Sequence, residues 1–123
     1  MDKRIVLDPD FPIDLPEGAV DIIISITDRE KFEKLPAIYM YIKSLSKSLK
    51  KEDIRIELGE RVGVWIGEVF FYARELSISM EKLDKLLKSS FFVHIPYVKM
   101  IPNGIYLVMV FEGVAIDDEF WFS

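Results

Sequence analysis

His94 is the only histidine in this chain of 123 residues, and cysteine is absent. The side chains that most often serve as nucleophile, general base or soft metal ligand are therefore nearly missing, and a mixed His/Cys metal site is impossible. His94 lies in Phe91-Phe92-Val93-His94-Ile95-Pro96-Tyr97, where strand alternation puts it on one face with Phe92. That setting predicts a partly buried or edge-strand histidine rather than a catalytic one. Asp117-Asp118-Glu119 could bind a divalent cation only with oxygen ligands from elsewhere, and the cluster reads as an exposed acidic turn. Ser44, Ser46 and Ser48 alternate along a lysine-rich stretch and lack the strand-turn-helix setting of an activated serine. No glycine-rich phosphate loop is present. The expectation is a protein that is not an enzyme, with no catalytic residue, no cofactor, no metal and no evident small-molecule substrate.

Charge distribution says more than the net value of −5. Residues 1–30 carry eight acids against three bases, residues 31–51 six lysines against one acid, and residues 101–123 four acids and no base. Any basic footprint for nucleic acid must be local, and the acidic ends oppose non-specific attraction to phosphate. No apolar run approaches the roughly 18 residues needed to cross a bilayer, and the N-terminus lacks the pattern of a signal peptide. A cytoplasmic protein without a membrane segment is the expectation. Glutamine and cysteine are absent and asparagine occurs once, while Ile, Lys and Glu are plentiful. That bias is the one expected of proteins that work hot, a thermophile signature.

The elements that would position these side chains follow from periodicity and punctuation. Residues 3–7 suggest a first strand, and residues 8–18, with three prolines and a glycine, suggest a loop. Residues 19–26 are β-branched enough for a buried strand. Thr27 and Glu30 have capping-box spacing, and Pro36 should divide a short turn at 28–34 from a main helix at 36–50 with Ile38, Ile42, Leu45 and Leu49 as its stripe. Residues 54–58 alternate as a half-buried strand. For residues 61–76, Val62, Trp65, Ile66, Val69, Phe70, Ala73 and Leu76 form a three-four stripe that predicts a helix, with Gly63 and Gly67 allowing close approach of another backbone. Ser79 should cap a helix at 80–89 with Leu83, Leu86 and Leu87 inward. Residues 91–100 and 105–112 should form a hairpin around Ile101-Pro102-Asn103-Gly104, turning as type I with a glycine bulge. A last strand is expected over 114–122.

This order of elements resembles the winged helix-turn-helix superfamily. The local likeness is Ala73-Arg74-Glu75-Leu76-Ser77-Ile78-Ser79 followed by Leu83 and Leu86, with Ala73 as the small crossing residue and Ser77 where glycine is common. A length of 123 residues predicts a single domain over 1–123, and the resemblance implies an α+β fold for it. Its three-helix, winged-helix-like core with a C-terminal β-hairpin would span 28–112. N-terminal strands and a proline-rich loop (1–27) would flank it on one side and a C-terminal strand (113–123) on the other. It further implies a regulatory protein that binds duplex DNA, acting as a homodimer. Its recognition helix would present Ser79, Glu81, Lys82, Lys85 and Lys88 to a major groove, and Lys99 near the wing would reach the backbone. The alternative is a protein–protein interaction module or subunit of a larger assembly that uses an aromatic sheet surface. Phe91, Tyr97, Trp121 and Phe122 would then be its partner-binding residues, and exposed rings stacking on single-stranded bases form a third reading.

Overall fold

Val20, Ile22 and Ile24 alternate with Asp21 and Ile23, and this period of two gives the first strand, β1 (Ala19–Ser25). In the computed structural model, which describes residues 15–113, a short helix α1 (Arg29–Glu33) follows. Its cap is the Asp28 carboxylate, which accepts from the backbone N–H of Glu30 and Lys31, in place of the Thr27–Glu30 box expected from spacing. Pro36 then falls in the first turn of α2 (Leu35–Leu45), where its missing N–H costs nothing. The helix ends five residues before the expected limit at 50. Ile42 and Leu35 are buried from it, and Leu49 is buried beyond its end.

Residues 54–72 form a three-stranded antiparallel meander of β2 (Ile54–Leu58), β3 (Val62–Ile66) and β4 (Val69–Tyr72). The helix expected over 61–76 is therefore not there. Val62, Val64, Ile66, Val69 and Phe71 are β-branched or aromatic residues that pack well on a pleated surface. Gly67, at φ +61°, turns the chain in two residues between the paired Ile66 and Val69, as a type II′ hairpin turn requires of its first central position. A 3-10 turn over Ala73–Glu75 follows, so Ala73 belongs to no crossing helix. Ser77, expected at the bend of a helix-turn-helix, instead zips onto β1. Its N–H donates to the Ile23 carbonyl at 3.0 Å and its hydroxyl accepts from the Ile23 N–H at 2.8 Å. Helix α3 (Met80–Ser89) matches its expected limits, with Ser79 accepting from the Lys82 N–H at 3.2 Å and Leu83, Leu86 and Leu87 buried. With strands in place of a partner helix, α3 is not the second member of a helix-turn-helix, and a three-helix winged-helix core is not formed by the described residues.

The second sheet is also antiparallel and has the order β1-β6-β5, from β5 (Phe92–Ile101) and β6 (Gly104–Glu112). Their two-residue turn places Asn103, at φ +63°, in the left-handed region after Pro102. Positive φ at the third position marks a type II turn rather than the expected type I with a glycine bulge. Central strand β6 is buried on both faces. Ile105, Leu107, Met109 and Phe111 join the main core with Ile22, Ile42, Val64, Phe71 and Leu86, whereas Tyr106, Val108 and Val110 form a second cluster with Ala19. Each large aliphatic residue buried in this way contributes about 1.5–3 kcal/mol. The architecture is thus α+β, with two small antiparallel sheets and three helices among the described residues. The strands expected at 3–7 and 114–122 lie outside the described residues.

Candidate functional site

Both faces of the β2-β3-β4 sheet carry apolar side chains, and only the outer one adds charged groups to them. Ile54, Ile56, Val64, Ile66, Val69 and Phe71 point into the core. Alternation sends Arg55, Glu57, Gly63, Trp65, Phe70 and Tyr72 outward, and the register aligns them in rows, Arg55–Trp65–Phe70 and Glu57–Gly63–Tyr72. Gly63 lacks a side chain in a row where one would strike the Phe70 ring, and Phe70 covers it. The rings of Trp65, Phe70 and Tyr72 run across the face with centroid separations of 5.2 and 5.0 Å.

Arginine guanidinium groups lie over these rings. Arg55 stands 5.2 Å from the Trp65 ring centre, Arg61 4.3 Å from Phe70 and 5.5 Å from Trp65, and Arg74 4.8 Å from Tyr72. Guanidinium–ring contacts of this kind contribute about 0.5–1 kcal/mol each at exposed sites, and they hold flexible side chains flat against the sheet. Glu57 locks the middle of the array. Its carboxylate accepts from Arg61 Nε at 3.0 Å and from Trp65 Nε1 at 3.2 Å. The Arg61 and Trp65 hydrogen bonds favour the ionised form and hold the Glu57 carboxyl below its ordinary value, while Glu57 raises Arg61 in turn. Because the folded value is depressed, this contribution is present above the ordinary value of 4.5 and is lost as the pH falls through the lowered one. The Trp65 indole N–H resonance should therefore titrate only below pH 4.5, and Glu57→Gln should abolish that titration. A titration centred above that value would show that the carboxylate does not hold the indole.

The residues expected from the sequence to bind nucleic acid lie on α3 and β5. Ser79 is committed to capping α3, Lys88 pairs with Asp84 at 2.9 Å, and Glu81 and Lys85 are exposed on the same helix as half-buried Lys82. Lys99 lies near the tip of the β5–β6 hairpin, opposite Tyr106 and three residues before Pro102. Of the expected partner-binding residues, Phe91 is 76% exposed, whereas Tyr97 packs at 5.8 Å, edge to face, on Tyr106. Trp121 and Phe122 lie outside the described residues. His94 is half-buried on β5, the sheet's edge strand, as expected. No group of three or more His, Cys, Asp or Glu could hold a metal among the described residues, and Asp117-Asp118-Glu119 lies beyond them. No described helix is long and apolar enough to cross a membrane.

The arginine–aromatic face was missed in the sequence, although one signal was present. Three of the five arginines fall within residues 55–74, flanking Trp65, Phe70 and Tyr72. A comparison with protein families, with curated proteins and with solved structures finds no match for this chain.

Proposed function

We propose that this chain is a non-enzymatic protein–protein interaction module that binds its partner through the outer face of the β2-β3-β4 sheet. The observation that carries this reading is the set of guanidinium–ring contacts, with Arg55, Arg61 and Arg74 laid over Trp65, Phe70 and Tyr72. Tryptophan, tyrosine and arginine dominate the residues that supply binding energy in protein interfaces. Here they are held flat by Glu57 and by each other before any partner arrives, which lowers the entropy cost of docking. Duplex-DNA binding through the exposed residues of α3 is the rival reading.

The test compares the wild-type chain with an Arg55→Glu/Arg74→Glu variant as bait. Both arginines are exposed and neither forms an ion pair with a described residue, so folding should be retained by circular dichroism. A protein retained by the wild type is then purified and titrated against both chains, and its affinity should fall at least tenfold for the variant. Equal capture and equal affinity would remove the sheet face from consideration. Salt-sensitive binding to duplex DNA that is lost in Lys82→Glu/Lys85→Glu would favour the rival instead.

A further inference from the structure

The strand edges of this protein are not equally protected. On the outer edge of β1, Ile23 is taken up by Ser77 and Ile24 is bridged to Leu76. Edge strand β5 carries a bulge between His94 and Tyr97, where Ile95 and Pro96 oppose one residue of β6. A bulge and a proline are the usual devices that keep a neighbouring strand from adding to an edge. Edge strand β4 has only four residues before the chain turns into the 3-10 segment. Strand β2 has neither proline nor bulge in its five residues and pairs only with β3 among the described residues.

Beside that edge runs an open groove of about 520 Å³ between β2 and α3. Ile54, Ile56 and Leu87 give it an apolar floor, and Lys51, Arg55 and Lys88 line it against the single carboxylate of Asp84. Lys88 spends its charge on Asp84, and Lys51 donates to the Ser90 carbonyl. Arg55 forms no salt bridge with a described residue, and it acts on the Glu57 carboxylate, already bound by Arg61 and Trp65, only through its charge at longer range. This excess of positive charge stands out in a chain whose net charge is −5.

From this juxtaposition we infer that β2 accepts an extended polypeptide segment of a partner protein, alternating acidic and apolar side chains, as a fourth strand. The inference rests on the interaction-module reading and specifies the partner's chemistry. An added strand lies about 4.8 Å from β2 and sends successive side chains to opposite faces. One set meets Ile56 and Leu87 in the groove. The other emerges beside Arg55 on the outer face, where a planar guanidinium matches a carboxylate in a bidentate pair. Main-chain hydrogen bonds to β2 supply affinity, and the alternating pockets supply the sequence preference.

The test is fluorescence anisotropy of a labelled seven-residue peptide alternating glutamate and valine, titrated with the full chain. Three comparisons accompany it: a shuffled peptide of the same composition, one with alternate backbone nitrogens methylated, and one with lysine for glutamate. Saturable binding is expected, weakened at least tenfold by each change and at least tenfold by Arg55→Glu, with the charge reversal Lys47→Glu, at an exposed position outside both proposed surfaces, having less than a threefold effect. Equal binding of the methylated or shuffled peptide, or no binding of the parent peptide, would overturn strand addition. Should that happen while Arg74→Glu still weakens the purified protein partner, the sheet-face reading stands and only the strand inference falls. If Arg55→Glu leaves the peptide unaffected and neither arginine matters to the partner, both readings fall.

Discussion

Gly63→Val should unfold the β2-β3-β4 sheet or cost about 3 kcal/mol, the upper part of the range for overpacking, whereas Gly59→Ala should change stability little. A Cβ at position 63 would sit 2.1 Å from the Phe71 carbonyl oxygen and 2.7 Å from the Phe70 ring, while at Gly59 it would meet nothing within 4 Å. The first clash is with backbone, so no rotamer change relieves it, and β3 must part from β4. Valine adds two more carbons where the Phe70 ring lies, so the arginine–aromatic face should be lost with the hairpin. Urea unfolding of the two variants beside the wild type measures this directly. A Gly63→Val chain with an unchanged midpoint would mean that β3 and β4 are not paired as described.

That glycine also explains why the sequence misled. Gly63 was expected to admit another backbone closely, and it does, but from an adjacent strand rather than a crossing helix. Residues 61–76 carried apolar side chains at three-four spacing because both faces of the hairpin are apolar. Val64, Ile66 and Phe71 serve the core, while Trp65, Phe70 and Tyr72 serve the outer face under their arginines. A strand pair with rings outside loses the in–out alternation that identifies strands, and a helical period then fits by coincidence. Gly67-Glu68 between a β-branched run and an aromatic one was the signal that could have corrected it. Helix α3 was legible to the residue because cap, first-turn acid, last-turn base and leucine stripe all agreed. The hairpin of β5 and β6 was legible for the same reason. The guanidinium–ring contacts were not, since they depend on the β2–β3 and β3–β4 registers, which bring Arg55 beside Trp65 and Trp65 beside Phe70.

Removing Lys31 should be among the most damaging single changes in the molecule. The Glu75 side chain is only 2% exposed, and its carboxylate accepts from Lys31 Nζ at 2.8 Å and from the Tyr72 N–H at 3.1 Å. The ammonium also lies 5.0 Å from the Phe71 ring centre and 5.6 Å from that of Tyr72, so α1 is pinned to the end of β4 by one cation. Breaking a buried pair by deleting one partner leaves the other charge uncompensated and costs about 3–5 kcal/mol. Lys31→Met should fall at the lower end of that range, because the lysine side chain keeps 21% exposure and water can reach the vacated position. Lys31→Met combined with Glu75→Leu should recover more than half of the loss, since no charge is then stranded and only the Tyr72 N–H goes unmet. The same pair of variants links the clamp to the proposed binding face. Arg74 immediately precedes Glu75 and lies over Tyr72, so freeing Glu75 loosens both at the β4 end of the face. Partner affinity should therefore fall in Lys31→Met even at temperatures where the chain stays folded. A Lys31→Met chain as stable as the wild type in urea would show that Glu75 is not held as a buried anion, and the clamp would have no part in ordering Tyr72 and Arg74.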